Sequence, residues 1–210
     1  MNILITGGSK GIGNAILQEL ASNPLNRIYF TYNRTEPTFS LPNCHPIQVD
    51  FTNSLQLELF IEKVRSLDLD TLINNYHTGY TLRHAHKTST DDLENSMSSN
   101  IYPTINLTNA LIRGFRGKKS GKIITILTQA IETFPSGFVA YTAEKRYLSA
   151  FVDAWKSENK AFGISSEALF PGFIPTDIHK DLPSFIQPLN NEVDAMASLI
   201  EKINSILYVV

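Results

Sequence analysis

Short apolar runs alternate with segments of helical periodicity along almost the whole chain, and this alternation restricts the fold more than any other feature. The apolar runs predict strands at residues 2–6, 27–32, 46–49, 71–74, 122–127, 164–170 and 206–210. The periodic segments predict helices at residues 13–21, 53–64, 91–115 (kinked or divided at Pro103), 139–158 and 193–203. Because parallel strands need crossover connections, the pattern predicts an α/β fold, a parallel sheet with helices on both faces.

Composition favours one domain and argues against several classes of partner. The chain has 210 residues, of which 42% are hydrophobic and 18% charged, and its formal net charge is −2. This length suits a single domain over residues 1–210, and the near-neutral charge gives no field that would attract nucleic acid or an anionic membrane. The one cysteine, Cys44, cannot form an internal disulfide, and no apolar run reaches membrane-spanning length. We therefore expect a cytoplasmic protein with no nucleic-acid partner and no membrane partner.

A glycine-rich segment follows the first predicted strand and leads into the first predicted helix. Residues 6–13 read Thr-Gly-Gly-Ser-Lys-Gly-Ile-Gly. Glycines let a backbone approach a pyrophosphate closely, and the N-terminus of a helix offers free N–H groups and positive potential. The spacing differs from the usual Gly-x-Gly-x-x-Gly, so a plain glycine-rich turn is the alternative. The segment favours nucleotide binding.

A tyrosine and a lysine lie four residues apart in the predicted helix 139–158. Residues at positions i and i+4 share one face of a helix, so the phenol of Tyr141 and the ammonium of Lys145 can act together. Such a pair is common on ordinary amphipathic helices and is a weak signal alone. When this pair follows the glycine-rich segment on a chain of alternating strands and helices, the two motifs together form a strong signal.

With these two motifs in this order, the chain resembles the short-chain dehydrogenase/reductase family, especially small single-domain members such as 3-oxoacyl carrier-protein reductases and carbonyl reductases. The similarity runs over residues 2–177. Residues 6–13 match the family's cofactor loop, residues 74–75 the start of its Asn-Asn-Ala-Gly segment, and residues 171–177 its Pro-Gly loop. The resemblance implies a Rossmann-like, doubly wound parallel sheet of about seven strands, a nicotinamide cofactor, and a homodimer or homotetramer.

The resemblance also implies which residues act. The implied catalytic residues are Asn100, Thr128, Tyr141 and Lys145. The implied cofactor contacts are Gly7, Ser9, Lys10, Gly11, Ile12, Gly13, Asn33, Arg34, Asp50, Phe51, Asn75, Tyr76, Tyr141, Lys145, Pro171, Gly172, Ile174 and Thr176. A carbonyl substrate would be reduced to an alcohol, or the reverse. Tyr141 would supply the proton, Lys145 would lower the pKa of Tyr141 by about three units, and Thr128 would hydrogen-bond the carbonyl oxygen. Asn100 would hold a water in a proton relay.

The end of the second predicted strand indicates the choice of cofactor. Residues 31–34 contain no carboxylate where NAD-dependent relatives place one on the ribose hydroxyls. Arg34 and Lys10 can instead flank a 2′-phosphate, a charge-assisted pairing that suits a guanidinium group. Glu36 is the rival feature, but it lies beyond the usual position. The sequence therefore predicts NADP over NAD.

Three departures from the family pattern leave a second hypothesis about the function open. Thr128 stands where the family has serine, Tyr76 and His77 stand where it has Ala-Gly, and the chain stops at Val210 without the usual Asp-Gly-Gly ending. The Tyr76 and His77 side chains would either contact cofactor or substrate, or narrow the pocket. The alternative function is a catalytically weak family member that senses the cofactor or binds a partner.

Two remaining features have modest interpretations. The irregular, proline-containing segment 173–190 is a candidate lid over the crevice at the carboxyl ends of the strands. His84 and His86, with His77 upstream, lack a cysteine or acidic residue at ligand spacing, so no metal site is expected.

Overall fold

The computed structural model of this chain describes residues 1–174 and 192–208, with side-chain positions for all of these except residues 192–194. The strands in this part of the chain are β1 (Asn2–Ile5), β2 (Arg27–Tyr32), β3 (Cys44–Gln48), β4 (Thr71–Asn74), β5 (Gly121–Ile126) and β6 (Ile164–Leu169). The α-helices are α1 (Gly11–Ala21), α2 (Ser54–Arg65), α3 (Thr90–Ser96), α4 (Tyr102–Lys118), α5 (Ala130–Thr133), α6 (Val139–Asn159) and α7 (Glu192–Tyr208).

These strands form one parallel sheet in the order β3-β2-β1-β4-β5-β6. The middle strand β1 pairs with β2 on one side, Ile3 opposite Ile28, and with β4 on the other, Ile3 opposite Thr71. The order of the strands therefore reverses between β1 and β4. In an open α/β sheet, ligands bind outside the carboxyl ends of the strands at this point.

Apolar side chains on the two faces of the sheet form two separate cores. One core joins Leu4 and Leu72 of the sheet to α2, α4 and α6, and it includes the buried Trp155 of α6. The other joins Ile5 and Ile73 to α1 and α7. Successive residues of a strand point to opposite faces, which is why neighbouring positions in β1 and β4 belong to different cores. The predicted doubly wound, Rossmann-like architecture is confirmed.

The described sheet has six strands, so the prediction of a terminal strand at residues 206–210 is wrong for its first three residues. These residues continue α7, because Ile203 and Leu207 lie one helical turn apart and are both buried against the α1 side of the sheet. Lys122 Nζ also donates hydrogen bonds to the carbonyls of Ile206 and Leu207, each at 2.8 Å, and so satisfies the last turn of the helix. Residues 209–210 lie outside the described part of the chain.

The predicted helix 91–115 is divided just before Pro103 and not at Pro103 itself. A π-helical turn, Met97–Ile101, separates α3 from α4. Pro103 lies in the first turn of α4, where its missing N–H breaks no helical hydrogen bond. The π-helical turn directs Asn100, which is 3% exposed, towards the interior between the sheet and α6.

Candidate active site

The segment at residues 6–13, here called the glycine loop, is shaped by backbone contacts with β2 and by its own glycines. The amides of Gly7 and Gly8 donate hydrogen bonds to the hydroxyl and carbonyl oxygens of Thr31, at 2.8 and 2.9 Å. Gly7 and Gly11 have positive φ angles, +70° and +58°, which favour glycine. At Gly13 a Cβ atom would lie 2.1 Å from the Gly7 carbonyl oxygen, so only glycine lets α1 begin this close to the loop.

Asn75 fastens the glycine loop to the end of β4. Its amide Nδ2 donates to the carbonyl oxygens of Thr6 and Gly7, both at 3.0 Å. In return, the Thr6 hydroxyl accepts the backbone N–H groups of Asn75 and Tyr76, each at 3.0 Å. The loop is therefore held from both neighbouring strands, while no side chain caps the N-terminus of α1. The first backbone N–H groups of α1 therefore remain available for a ligand.

A cavity of about 530 Å³ lies over this loop, at the carboxyl ends of β1, β2, β4 and β5, and is called here the glycine-loop cavity. The predicted cofactor residues that line it are Gly7, Ser9, Lys10, Gly11, Ile12, Asn33, Arg34, Asp50, Phe51, Asn75, Tyr76, Tyr141 and Lys145. The lining residues that were not predicted as contacts are Thr31, Tyr32, Thr35, Val49, Thr52, His77, Thr78, Tyr80, Ile126 and Leu127. The structure thus brings together residues that lie up to 138 positions apart (7 to 145).

Several predicted contacts do not line this cavity. Gly13 acts instead through its close packing against the glycine loop. The Pro171 carbonyl oxygen accepts a hydrogen bond from the backbone N–H of Gln129 at 3.1 Å. Ile174 packs in the core on the α1 side of the sheet. A Cβ atom added at Gly172 would lie 3.4 Å from Gln129 Oε1. Thr176 and most of the candidate lid are outside the described residues.

Tyr141 lies where the glycine-loop cavity meets a second cavity of about 610 Å³, called here the polar cavity. Its hydroxyl is hydrogen-bonded to that of Thr128, and the Thr128 oxygen also accepts the Ala130 amide at 3.2 Å. The segment that follows β4, residues 75–84, is called here the β4 loop. The polar cavity is lined mainly by hydroxyl and amide side chains of the β4 loop, α3 and the π-helical turn, including Thr78, Asn95 and Ser99. A polar substrate group could therefore approach the Tyr141 hydroxyl from this side.

The protonation of Tyr141 differs from the sequence-based prediction. Burial raises the pKa of Tyr141 to about 12, the Thr128 hydrogen bond acts against this, and the negative charge of Glu144 adds to it. Lys145 was expected to lower this pKa, but its Nζ lies 5.8 Å from the centre of the Tyr141 ring and donates to the Ile126 carbonyl at 3.3 Å. The phenol is therefore protonated at neutral pH.

Tyr76 and His77 replace small residues of the family pattern. Their polar side-chain atoms form hydrogen bonds within the protein. The Tyr76 hydroxyl donates to the Ser99 carbonyl at 3.1 Å, and the Tyr76 ring meets Phe51 edge-on with ring centres 4.4 Å apart. The His77 ring meets Tyr141 edge-on at 5.3 Å. Both side chains are directed towards the helices, and both still contribute to the wall of the glycine-loop cavity.

A buried polar cluster joins the β4 loop to α3 and α6 beside Tyr141. Glu144 binds His77 Nε2 with one carboxylate oxygen, and with the other it accepts hydrogen bonds from the Ser96 hydroxyl and from Asn100 Nδ2. Asn100 Oδ1 accepts the backbone N–H and the hydroxyl of Thr78, at 2.8 and 2.9 Å. Because these bonds occupy both ends of the Asn100 amide, the side chain positions its neighbours. The predicted role of holding a water stays a prediction.

Sequence reasoning overlooked Glu144. This residue lies three positions after Tyr141 and four before Leu148, so it shares their face of α6, and like Leu148 it is buried. Acidic residues are almost never fully buried without a partner. A carboxylate on the inner face of a helix, one position before the lysine of the motif, was the signal that could have identified it.

Residues 1–174 and 192–208 contain no group of three or more His, Cys, Asp or Glu side chains that could hold a metal ion. His84 and His86 stack on each other with ring centres 5.9 Å apart, and His84 also contacts the Ser136 hydroxyl. None of the helices in this part of the chain is long and apolar enough to cross a membrane.

Comparisons with known proteins agree with this geometry. A family model for short chain dehydrogenases matches residues 1–187. The chain is 30% identical to the short-chain dehydrogenase/reductase atnB of Arthrinium sp, over 85% of this chain and 76% of that protein. It is 28% identical to the 3-oxoacyl-(acyl-carrier-protein) reductase FabG of Escherichia coli (strain K12), over 85% of this chain and 75% of that protein.

Solved structures show the same architecture. A short-chain dehydrogenase from Sphingobium yanoikuyae, in complex with NADPH, matches with a TM-score of 0.83 at 18% identity. The match covers 97% of this chain and 84% of that one. At this level of identity the similarity shows the fold alone.

Proposed function

This chain belongs to the short-chain dehydrogenase/reductase family, whose members are oxidoreductases that use nicotinamide cofactors, and on that premise we propose that it is an NADP-dependent enzyme that reduces a small carbonyl compound to an alcohol, or catalyses the reverse. The observation that carries the proposal is the position of Tyr141. The Tyr141 hydroxyl is hydrogen-bonded to the Thr128 hydroxyl at the junction of the glycine-loop cavity and the polar cavity. A proton donor at that junction can serve a substrate in one cavity and a cofactor in the other.

The glycine-loop cavity fits a dinucleotide. Its volume of about 530 Å³ is within the usual range for cofactor sites. The missing Cβ atoms of the loop and the uncapped start of α1 offer backbone N–H groups for a pyrophosphate. Asn33, Asp50 and Phe51 would surround the adenosine end, and Lys145 would hold the nicotinamide ribose at the other end.

The bound nicotinamide would supply hydride to the substrate carbon, or take it up in the reverse direction. Tyr141 would give its proton to the substrate oxygen, and the Thr128 hydroxyl would hydrogen-bond the same oxygen. Since burial raises the pKa of Tyr141 to about 12, the phenol is in the proton-donating form at neutral pH. This favours carbonyl reduction at neutral pH, whereas alcohol oxidation needs the phenolate and therefore a more alkaline solution.

The choice of NADP rests on charge at the end of β2. Arg34 is exposed and lines the glycine-loop cavity together with Lys10. The nearby Asp50 carboxylate accepts two hydrogen bonds from Thr52, at 2.9 Å from the amide and 2.6 Å from the hydroxyl. The positive charge of Arg34 at this rim supports pairing with a 2′-phosphate, which NADP has and NAD lacks.

Two accompanying expectations belong to the same proposal. We propose assembly into a homodimer or homotetramer, as the family resemblance implies, and a cytoplasmic location. Chemical cross-linking or light scattering of the purified protein measures the first, and fractionation of cells measures the second.

Tyr141→Phe tests the proposed function. The exchange removes the proton donor and keeps the ring, so NADPH oxidation with a panel of ketones, aldehydes and oxoacyl thioesters should slow by at least about a hundredfold. The dissociation constant for NADPH should stay within about twofold, because the phenol oxygen contributes little to ground-state binding. Stopped-flow absorbance and fluorescence titration provide the two measurements.

Tyr147→Phe is the matched control, since Tyr147 is exposed on the same helix α6. It should leave both quantities unchanged. Turnover of Tyr141→Phe at the parent rate would contradict the catalytic assignment. Tight NADPH binding by the parent without reduction of any carbonyl would favour the catalytically weak alternative.

A further inference from the structure

The polar cavity beside Tyr141 offers hydrogen-bonding groups on nearly every side and very little hydrocarbon. Among the described residues that line this cavity, Ala140 is the only one whose side chain consists of hydrocarbon alone. Small-molecule sites are usually lined mainly by apolar side chains, with a few polar groups that fix the orientation of the ligand. The composition of this lining therefore restricts the substrate more than the cavity volume of about 610 Å³ does.

Much of this polar character comes from one face of α3 and the π-helical turn. The residues of this face that line the cavity lie at intervals of three, one and three positions, and they are Asp92, Asn95, Ser96 and Ser99. Residues at this spacing share one face of a helical segment. The inward face of a surface helix normally carries apolar side chains that pack in the core. Here the corresponding face carries only polar groups, which suits contact with a ligand that forms hydrogen bonds.

Two side chains of this face are available to a ligand. The Ser96 hydroxyl already donates to Glu144, and Asp92 accepts the capping hydrogen bonds at the start of α3. The side chains of Asn95 and Ser99, by contrast, form no hydrogen bond with any residue in the described part of the chain. An amide side chain and a hydroxyl group can each donate and accept hydrogen bonds. Asn95 and Ser99 can therefore bind both the oxygen and the proton of a hydroxyl group on a substrate.

The charges in the lining of the polar cavity compensate each other. Arg83 Nε lies 3.6 Å from Asp92 Oδ2, so these two side chains form an ion pair. Lys10 lines both the polar cavity and the glycine-loop cavity, and its ammonium group can pair with a phosphate group of the bound cofactor. With the cofactor bound, the described part of the lining therefore keeps no unpaired cation for a carboxylate or phosphate group of the substrate.

An apolar substrate would also fit this lining poorly. A long acyl chain in the polar cavity would cover Asn95 and Ser99 and exclude water from them without forming hydrogen bonds. Polar groups that lose water and gain no hydrogen bond weaken a complex. The ring of Tyr80, which could contact hydrocarbon, is already packed on the rings of Phe138 and Tyr141, with ring centres 5.1 and 5.2 Å away. A substrate with its own hydroxyl groups satisfies the lining instead.

We propose that the substrate is a small, uncharged carbonyl compound with hydroxyl groups on the carbons next to the carbonyl carbon, and that Asn95 and Ser99 bind those hydroxyl groups. This inference rests on the proposed function, in which the carbonyl oxygen lies at the hydroxyls of Tyr141 and Thr128. Tyr141 would give its proton to the carbonyl oxygen, while the carbonyl carbon takes up hydride from NADPH. The products would be a polyol and NADP⁺, and Tyr141 would then regain a proton from solvent.

A set of matched ketones separates the possible substrate classes. Erythrulose, butan-2-one and 3-oxobutanoate have carbon chains of equal length, but only the first carries several hydroxyl groups and only the last carries a carboxylate. With NADPH as the reductant, we expect kcat/KM for erythrulose to exceed that for each of the others by at least about tenfold, which corresponds to one or two hydrogen bonds. A higher value for butan-2-one, 3-oxobutanoate or an oxoacyl thioester would overturn the proposal.

Asn95→Ala and Ser99→Ala test the two side chains that are assigned to the hydroxyl groups. In each variant the ratio of kcat/KM for erythrulose to that for butan-2-one should fall by about threefold to tenfold relative to the parent, mainly through KM. The intrinsic reactivities of the two ketones cancel in this comparison. Both variants should fold, because Asn95 is exposed and Ser99→Ala keeps the backbone carbonyl that accepts the Tyr76 hydroxyl at 3.1 Å.

Ser98→Ala is the matched control for Ser99→Ala. Ser98 is the neighbouring serine in the π-helical turn, it is exposed, and it is not among the residues that line the polar cavity. Its hydroxyl donates to the Asn95 carbonyl at 3.1 Å, so it is directed to the helix backbone. The ratio should be unchanged in Ser98→Ala. An equal ratio in the parent, Asn95→Ala and Ser99→Ala would overturn the assignment of the two residues.

Binding without turnover separates this inference from the proposed function. Saturation-transfer NMR with the NADP-bound protein compares erythritol, a reduced form of erythrulose, with butan-2-ol. We expect a signal for erythritol that is at least about threefold weaker in the double variant Asn95→Ala/Ser99→Ala, and no signal for butan-2-ol.

The outcomes of turnover and binding then divide clearly. If no carbonyl is reduced but erythritol binds in this way, the proposed function fails and the site for a hydroxylated ligand stands. If carbonyls are reduced without preference for erythrulose, the substrate class fails and the proposed function stands. If no carbonyl is reduced and erythritol does not bind either, both fail.

Discussion

The two walls of the glycine-loop cavity are built in opposite ways. One wall is the glycine loop, where backbone N–H and carbonyl groups make the contacts and missing Cβ atoms give the shape. The other wall is the β4 loop with α6, where buried polar side chains such as His77, Glu144 and Lys145 make the contacts. The packing of the first wall leaves no room for added atoms, whereas the stability of the second wall depends on the charges of its buried side chains. Added volume should therefore damage the first wall, and changes of pH or charge the second.

The largest effect is expected from adding one methyl group to the first wall. In Gly13→Ala the new Cβ would lie 2.1 Å from the Gly7 carbonyl oxygen and 2.5 Å from Asn75 Nδ2, so the loop or α1 must shift. We expect the free energy of unfolding to fall by about 2 kcal/mol, and NADPH to bind at least about tenfold more weakly. Urea denaturation and titration calorimetry measure the two quantities.

Gly114→Ala is the matched control, since it lies in the interior of α4 and a Cβ there meets no atom within 4 Å. Replacing a helical glycine by alanine in open space should stabilise the protein by about 0.5–1 kcal/mol. If Gly13→Ala behaved like Gly114→Ala, steric limits would not define the first wall.

A smaller effect is expected from the charge at the rim of the first wall. Arg34→Ala should weaken NADPH binding by about tenfold, the value of one charge-assisted contact, and leave NADH binding unchanged. Arg65→Ala, an exposed arginine in the last turn of α2, should alter neither affinity. Equal affinity of the parent for NADPH and NADH, or equal weakening of both by Arg34→Ala, would argue against the proposed cofactor.

The smallest effect concerns the second wall and the pH dependence of stability. Burial lowers the pKa of His77 below its usual value near 6.5, so the folded state takes up this proton later than the unfolded state does as the pH falls. The stability associated with neutral His77 is fully present above about pH 6.5, and below it declines by at most about 1.4 kcal/mol per pH unit. Denaturant midpoints between pH 8 and pH 5 should therefore fall less steeply in His77→Gln.

His45 provides the comparison for this experiment. Burial also lowers the pKa of His45, and so does the nearby Arg27, but His45 lies at the edge strand β3 and is only partly buried. His45→Gln should keep most of the pH dependence of the parent. A pH dependence that disappeared in His45→Gln and persisted in His77→Gln would place the effect outside the second wall.

Features that depend on neighbouring residues could be predicted from the sequence. The strand-helix alternation predicted the doubly wound sheet, and β2 and β4 have the predicted bounds. The Thr6–Gly13 segment predicted a loop whose positive φ angles and close approach require glycine at particular positions. The spacing of Tyr141 and Lys145 placed both on the inner face of α6. Backbone stereochemistry and helical periodicity act over a few residues, so they can be recognised in the sequence.

Features that depend on distant contacts were decided by the tertiary structure. The terminal segment 206–208 is helical because Ile203 and Leu207 pack against α1 and the sheet, although its apolar composition also suits a strand. The pKa of Tyr141 follows from burial, which outweighs the expected effect of Lys145. Residues 77 and 144 are 67 positions apart and meet only when the β4 loop packs on α6. Burial and charge pairing of this kind are sums over the folded interior, and no local pattern contains them.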